Sequence, residues 1–227
     1  LVKDICRGLS FLHDNRIVHR DLACRNILLR ADGTALIADY GLSRKLSASE
    51  AYYNNSESKF AWVWASPESL QSRRFDFKSD IWSLGVTLWE VATKGARPYE
   101  KFHKEGGTLA HAVILLKTRK LQLKTPEHLV ASKHMVSHLI DVCLHPEPSA
   151  RPSAVQLQRE VESSLRSLSS SSSTTMMMSM TNQQDPSAGG VPYASSEPMA
   201  PKRKTTAGSL RRALLASTTV STSMDSG

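Results

Sequence analysis

The stretch His19-Arg20-Asp21-Leu22-Ala23-Cys24-Arg25-Asn26, followed by Asp39-Tyr40-Gly41, decides how this chain is read. Asp21 is a potential proton acceptor, set five residues before Asn26, a neutral oxygen ligand. Asp39 adds a second carboxylate after a short apolar segment. Such a set can orient a hydroxyl and hold a hard cation against a phosphate.

Working upstream, Val2, Ile5, Leu9 and Leu12 recur at helical spacing and predict an amphipathic helix over residues 1–13. Asp14-Asn15 ends it, and Ile17-Val18 is a short strand that delivers His19. Past Asn26, Ile27-Leu28-Leu29 is a second strand. Ala31-Asp32-Gly33 has hairpin-turn chemistry, and Ala35 to Ala38 returns as a third strand. The hairpin therefore holds Asn26 and Asp39 near each other.

Downstream, residues 42–65 are polar and turn-rich, with Tyr52-Tyr53-Asn54-Asn55 near the middle. A loop of this length in a compact domain tends to be functional or disordered. Ser66-Pro67-Glu68 closes it. From the cap pair Ser79-Asp80, the run Ile81 to Val91 is apolar nearly all round and predicts a buried central helix. Pro98-Tyr99 breaks the chain. Two more helices are expected, one around Met135, Val136, Leu139, Ile140 and Cys143, the other from Ser153 to Leu165. The fold class is mostly α with a small β-hairpin.

Beyond Arg166 the composition changes. Residues 167–227 hold 23 Ser or Thr among 61, with few large apolar side chains to offset chain entropy. Residues 1–166 read as folded and 167–227 as a disordered Ser/Thr/Met-rich tail. The folded part carries 24 Lys or Arg against 18 Asp or Glu, most of the net +8. That mild excess suits a nucleotide phosphate and gives no argument for nucleic acid. Cys6, Cys24 and Cys143 form no CxxC pair and read as reduced thiols of an intracellular protein. No stretch approaches the roughly 18 apolar residues of a membrane span. The chain opens at Leu1 in what reads as mid-helix, so a fragment of a longer protein is expected.

At this point residues 1–166 resemble the C-terminal lobe of a protein kinase, and more narrowly of a tyrosine kinase. The pieces stand in that family's order: His19-Arg20-Asp21 to Asn26, Asp39-Tyr40-Gly41, Ser66-Pro67-Glu68, Ser79 to Gly85, and Arg151-Pro152. The resemblance implies an ATP- and Mg2+-dependent transferase acting on protein substrates in signal transduction. It implies that Asp21 accepts the hydrogen bond of the attacking hydroxyl, that Asn26 and Asp39 bind magnesium, and that Leu28 lies under adenine. It makes the segment from Asp39 to Glu68 an activation segment, with Tyr52 or Tyr53 a candidate phosphosite whose added charge would pair with Arg20. Asp80 would brace the catalytic loop, Glu68 and Arg151 would form a buried ion pair, and His19 and Tyr40 would stack.

Tyrosine specificity rests on the same resemblance. Ser/Thr kinases carry a Lys two residues after the catalytic Asp, where this chain has Ala23. Arg25, Ala61, Trp64 and the run Pro67 to Leu70 match the tyrosine-kinase pattern. Tyr40 for Phe, Ser66 for Ala and Val63 for Arg depart from it, and Val63 puts contacts with the substrate in question. Two alternatives stay open: a kinase-shaped scaffold that recruits partners without transferring phosphate, and a dual-specificity or Ser/Thr enzyme. The 227 residues contain no glycine-rich phosphate loop and no Val-Ala-Ile-Lys strand, the N-terminal lobe's clamp on the nucleotide. Alone they are expected to bind ATP weakly. The protein would sit in the cytoplasm, or on the cytoplasmic side of a membrane were the full chain a receptor. His134 and His138 at i and i+4 have no third zinc ligand and read as surface residues, and Pro201-Lys202-Arg203-Lys204 as a solvated basic patch.

Overall fold

The computed structural model describes residues 1–54, 61–131 and 134–180, with 168–180 by backbone alone. The first helix, α1 (Val2–Asp14), buries Ile5, Cys6, Leu9 and Leu12 along one face, as the spacing predicts. It ends where Asn15 donates back to the Phe11 and His13 region and Arg16 turns left-handed, at φ 59°. Strand β1 (Ile17–Val18) follows. After a 3-10 turn at Cys24–Asn26, β2 (Ile27–Leu29) and β3 (Ala35–Ile37) form an antiparallel pair with Ile27 opposite Ile37. The turn between them needs Gly33, whose φ is +86°. Ile27 and Ile37 face the core, whereas Leu28 and Leu36 stay exposed.

The loop of 42–65 holds more structure than its composition suggests. Strand β4 (Arg44–Lys45) pairs with β1, and β5 (Tyr53–Asn54) pairs forward with β6 (Arg74–Phe75). A 3-10 turn at Trp62–Trp64 leads into α2 (Pro67–Ser72), capped by Ser66, whose hydroxyl accepts the Ser69 N–H. Each short pairing borrows its partner from far along the chain, so no local pattern announces it.

Helix α3 (Phe77–Ala92) is the centre of the molecule. Its residues from Ser79 to Leu88 are all buried, which its near-uniform apolarity anticipates. Its start differs from the expected Ser79-Asp80. Asp76 is the N-cap, and Ser79 is the third helical residue of a reciprocal capping box. That arrangement frees the Asp80 side chain for another task. Helices α4 (Glu100–Lys104), α5 (Leu109–Lys117) and α6 (Glu127–Ala131) come next and were not expected. The first and last are five residues long, too short to show a period.

Helix α7 (Met135–Cys143) packs on α3, and α8 (Ala154–Met180) packs on α1. Ile5, Leu9, Ile81, Leu84, Leu139 and Leu157 form the main core. Helix α8 continues to Met180, past the expected boundary at 166; residues 181–227, including the basic patch at 201–204, lie outside the described residues. The architecture is the helix-rich lobe with small strand pairs that the sequence predicts.

Candidate functional site

Asp80 sets the site. It is fully buried, and its carboxylate accepts the His19 N–H at 2.7 Å and the Arg20 N–H at 2.9 Å. The His13 ring nitrogen stands 3.1 Å from the same carboxylate. Arg20 is held at φ 71°, a left-handed conformation that an ordinary residue adopts at a cost of about 1–3 kcal/mol. The two N–H bonds to Asp80 hold that bend, and Asp21 emerges directly after it. Arg20 then reaches across to donate to the Leu42 carbonyl at 2.8 Å.

Both oxygens of Asp21 are engaged. Arg25 donates to Oδ1, and Asn26 Nδ2 donates to Oδ2 at 2.9 Å. The same Asn26 amide nitrogen also reaches the Asp21 carbonyl at 2.7 Å. Asn26 thus turns its nitrogen toward Asp21 and keeps its amide oxygen as an acceptor. Burial pushes the Asp21 carboxyl above its ordinary value, against the opposing pull of Arg25 and Asn26, and the Asp39 charge adds to the rise.

Asp39 is brought alongside through the backbone. The Ala38 N–H donates to the Asn26 carbonyl at 2.8 Å, and a His19 ring nitrogen lies 3.2 Å from the Ala38 carbonyl. Asp39 has φ 61°, and its Oδ1 accepts the Gly41 N–H at 3.3 Å. Asn26 and Asp39 are hard oxygen donors of the kind magnesium takes, with substrate phosphates and water completing its shell. Among the described residues no group of three or more His, Cys, Asp or Glu gathers that could hold a metal by itself.

Around this centre the other expected residues fall as follows. Leu28, on β2, is 56 % exposed. His19 and Tyr40 meet edge to face at 5.4 Å, and the Tyr40 hydroxyl finds its partner in the Ile37 carbonyl at 3.0 Å. Tyr53 lies under the Arg20 guanidinium at 4.5 Å and near Arg44 at 5.5 Å, while Arg74 covers Tyr52 at 4.5 Å. Glu68 and Arg151 form a two-pronged ion pair, with Arg151 fully buried. Val63 is buried in a second apolar cluster with Trp82, Val86 and Leu116. His134 caps α7 and His138 pairs with Glu160 at 3.1 Å.

Arg25 does more than touch Asp21. Its guanidinium stacks on the Trp64 ring at 4.4 Å, and the Trp64 indole N–H donates to Glu90 at 2.8 Å. Sequence reasoning passed over Glu90. The available signal was that it is the sole charged residue in the apolar run Ile81 to Val91.

Comparison with known proteins follows the same lines. The family described as "Protein tyrosine and serine/threonine kinase" matches residues 1–161. The chain is 36% identical over 165 residues to the tyrosine-protein kinase transforming protein RYK of avian retrovirus RPL30, covering 73% of this chain and 35% of that protein. It is 35% identical over 166 residues to the tyrosine-protein kinase receptor TYRO3 of Xenopus tropicalis, covering 73% and 18%. It is 34% identical over 165 residues to the tyrosine-protein kinase receptor torso of Bombyx mori, covering 73% and 19%. The chain thus spans about a third or less of the length of these relatives.

Proposed function

Because the chain belongs to the protein tyrosine and serine/threonine kinase family, we propose that it is the catalytic lobe of an ATP-dependent enzyme that phosphorylates tyrosine hydroxyls of protein substrates. The observation that carries this reading is the double engagement of Asp21, by Arg25 on one oxygen and Asn26 on the other, with Asp39 tied in through Ala38. Magnesium-bound ATP, when present, supplies the phosphoryl group together with countercharge for it. Asn26 and Asp39 would hold the metal, and Leu28 would lie under the adenine.

The chain's own groups position the acceptor. Asp21 accepts the hydrogen bond of the substrate hydroxyl and takes its proton late, since this chemistry needs orientation more than a strong base. Burial raises its carboxyl above the ordinary value, which makes it a better proton acceptor than a free aspartate. Arg25, braced on the Trp64 face, holds the carboxylate in place. The Arg25 and Trp64 pair, Ala23 in the position of the Ser/Thr-kinase Lys, and relatives named tyrosine-protein kinases all favour a phenolic acceptor.

The N-terminal lobe of the full protein would clamp the nucleotide from above. No described helix is long and apolar enough to cross a membrane. Two of the relatives carry names of receptors, and a cytoplasmic or membrane-apposed lobe inside the cell fits the free thiols Cys6, Cys24 and Cys143.

The test is phosphorylation of tyrosine, serine and threonine peptides by the full-length protein, with Asp21→Asn as control. Transfer to tyrosine lost in the variant is expected. Equal activity in wild type and variant sinks the enzyme reading and leaves a scaffold; transfer to serine instead sinks the tyrosine assignment.

A further inference from the structure

Glu90 is a buried carboxylate near the end of α3, 6 % exposed, and the sole charged residue in the stretch from Ile81 to Val91. A charge there is expensive unless hydrogen bonds compensate it. Two do, and both end on a single oxygen. The Cys24 backbone N–H donates to Oε2 at 3.1 Å and the Trp64 indole N–H donates to it at 2.8 Å. Cys24 belongs to the loop that carries Asp21. Trp64 belongs to the end of the segment that starts at Asp39.

The arrangement brackets Asp21. Upstream, residues 19 and 20 are fixed by Asp80 near the start of α3. Downstream, residue 24 is fixed by Glu90 on the same helix, ten residues or about 15 Å further on. The Cys24 thiol adds a weak bond to the Thr87 carbonyl at 3.5 Å. A second route runs through side chains: Glu90 orients the Trp64 indole, the indole face seats Arg25 at 4.4 Å, and Arg25 bonds Asp21.

We propose that Glu90 is a positioning residue for phosphoryl transfer, which rivets the Asp21 loop to the Trp64 segment and thereby fixes Arg25 on Asp21. This rests on the kinase reading above. It assigns to Glu90 an effect on the rate of transfer and none on nucleotide binding, because neither Cys24 nor Trp64 is among the residues that would hold ATP or magnesium.

Three variants of the full-length protein test it, with steady-state kinetics on a tyrosine peptide corrected for folded fraction. Glu90→Ala removes the acceptor and is expected to lower kcat roughly 10- to 100-fold, the usual cost of losing a partner that orients a site residue, with the KM for ATP little changed. Glu90→Gln keeps an oxygen for the two donors and is expected to recover most of that loss. Trp64→Phe keeps an aromatic face for Arg25 but no indole N–H, and is expected to fall between them. The Trp64 indole signal in a 1H–15N spectrum should move in Glu90→Gln.

Wild-type kcat per folded molecule in Glu90→Ala overturns the proposal. So does a Glu90→Gln protein as impaired as Glu90→Ala, since that pattern reports charge rather than positioning. Should Glu90→Ala fail to fold, Trp64→Phe decides: unchanged kcat there overturns the rivet. A wild-type protein that transfers no phosphate at all defeats the kinase reading instead, while the indole signal still reports whether Glu90 holds Trp64.

Discussion

Arg151 grips Glu68 with two parallel hydrogen bonds, Nη1 to Oε1 at 2.6 Å and Nη2 to Oε2 at 2.9 Å. The same guanidinium donates to the carbonyls of His145 at 2.7 Å, Lys78 at 2.9 Å and Pro146 at 3.2 Å. One side chain thus pins the close of the segment from Asp39 to Glu68 to the start of α3 and to the loop after α7.

Removing it should be costly. Arg151→Ala is expected to lower unfolding free energy by about 3–5 kcal/mol, the scale for breaking a buried pair. Glu68 is partly exposed, so Glu68→Gln, which keeps one acceptor, should cost less. Urea denaturation measures both. Losses under about 1 kcal/mol in each would class the pair with ordinary surface bridges and remove its anchoring role.

Asp21 carries a second prediction, in pH. Burial raises its carboxyl, and burial raises those of Glu90 and Asp76 as well. A group raised in the folded state favours folding when protonated. Its contribution is complete below the unfolded value and disappears as pH climbs through the raised folded value. The stability that these three carboxyls lend is therefore lost as pH rises through their raised folded values. Asp21→Asn, which removes one such charge, should raise the melting temperature at neutral pH while abolishing transfer. A lower melting temperature in that variant would contradict the burial argument.

Gly85 sits at the crossing of α3 and α7. A methyl group there would stand 2.8 Å from the Cys143 Cβ and 2.9 Å from the Leu144 side chain. Gly85→Ala should destabilise the fold by about 1–3 kcal/mol, as overpacked cores do. Denaturant midpoints check it, and an unchanged midpoint would mean that the two helices separate freely.

Much of this was legible in the sequence because the informative groups lie close together in the chain. Asp21, Arg25 and Asn26 fall within six residues, and the hairpin that returns Asp39 is announced by Asp32-Gly33. The apolar run of α3 gave the central helix. What stayed hidden depends on distant partners. Glu90 meets Cys24 across 66 residues and Trp64 across 26. The Tyr53 to Phe75 pairing and the release of Asp80 from capping duty by Asp76 are likewise invisible to any local period.

The two loop tyrosines give a last test. Tyr53 is already flanked by Arg20 and Arg44, and Tyr52 by Arg74, so a phosphate on either ring would enter a cationic setting. Tyr52→Phe with Tyr53→Phe in the full-length protein should remove autophosphorylation from this segment and lower peptide phosphorylation. Phosphotyrosine content by mass spectrometry and turnover, both unaltered in the double variant, would exclude these sites.

Helix α3 supplies Asp80 to one end of the Asp21 loop and Glu90 to the other, takes the Ser83 hydroxyl to the Trp64 carbonyl at 2.8 Å, and offers the Lys78 carbonyl to Arg151. A slip of one residue along it would swing every one of these anchors by about 100° together. Its rotational setting is therefore a single mechanical variable shared by the Asp21 loop and the Trp64 segment. Lesions on its far side, against α7, would then shift the Asp21 loop without touching any residue of it.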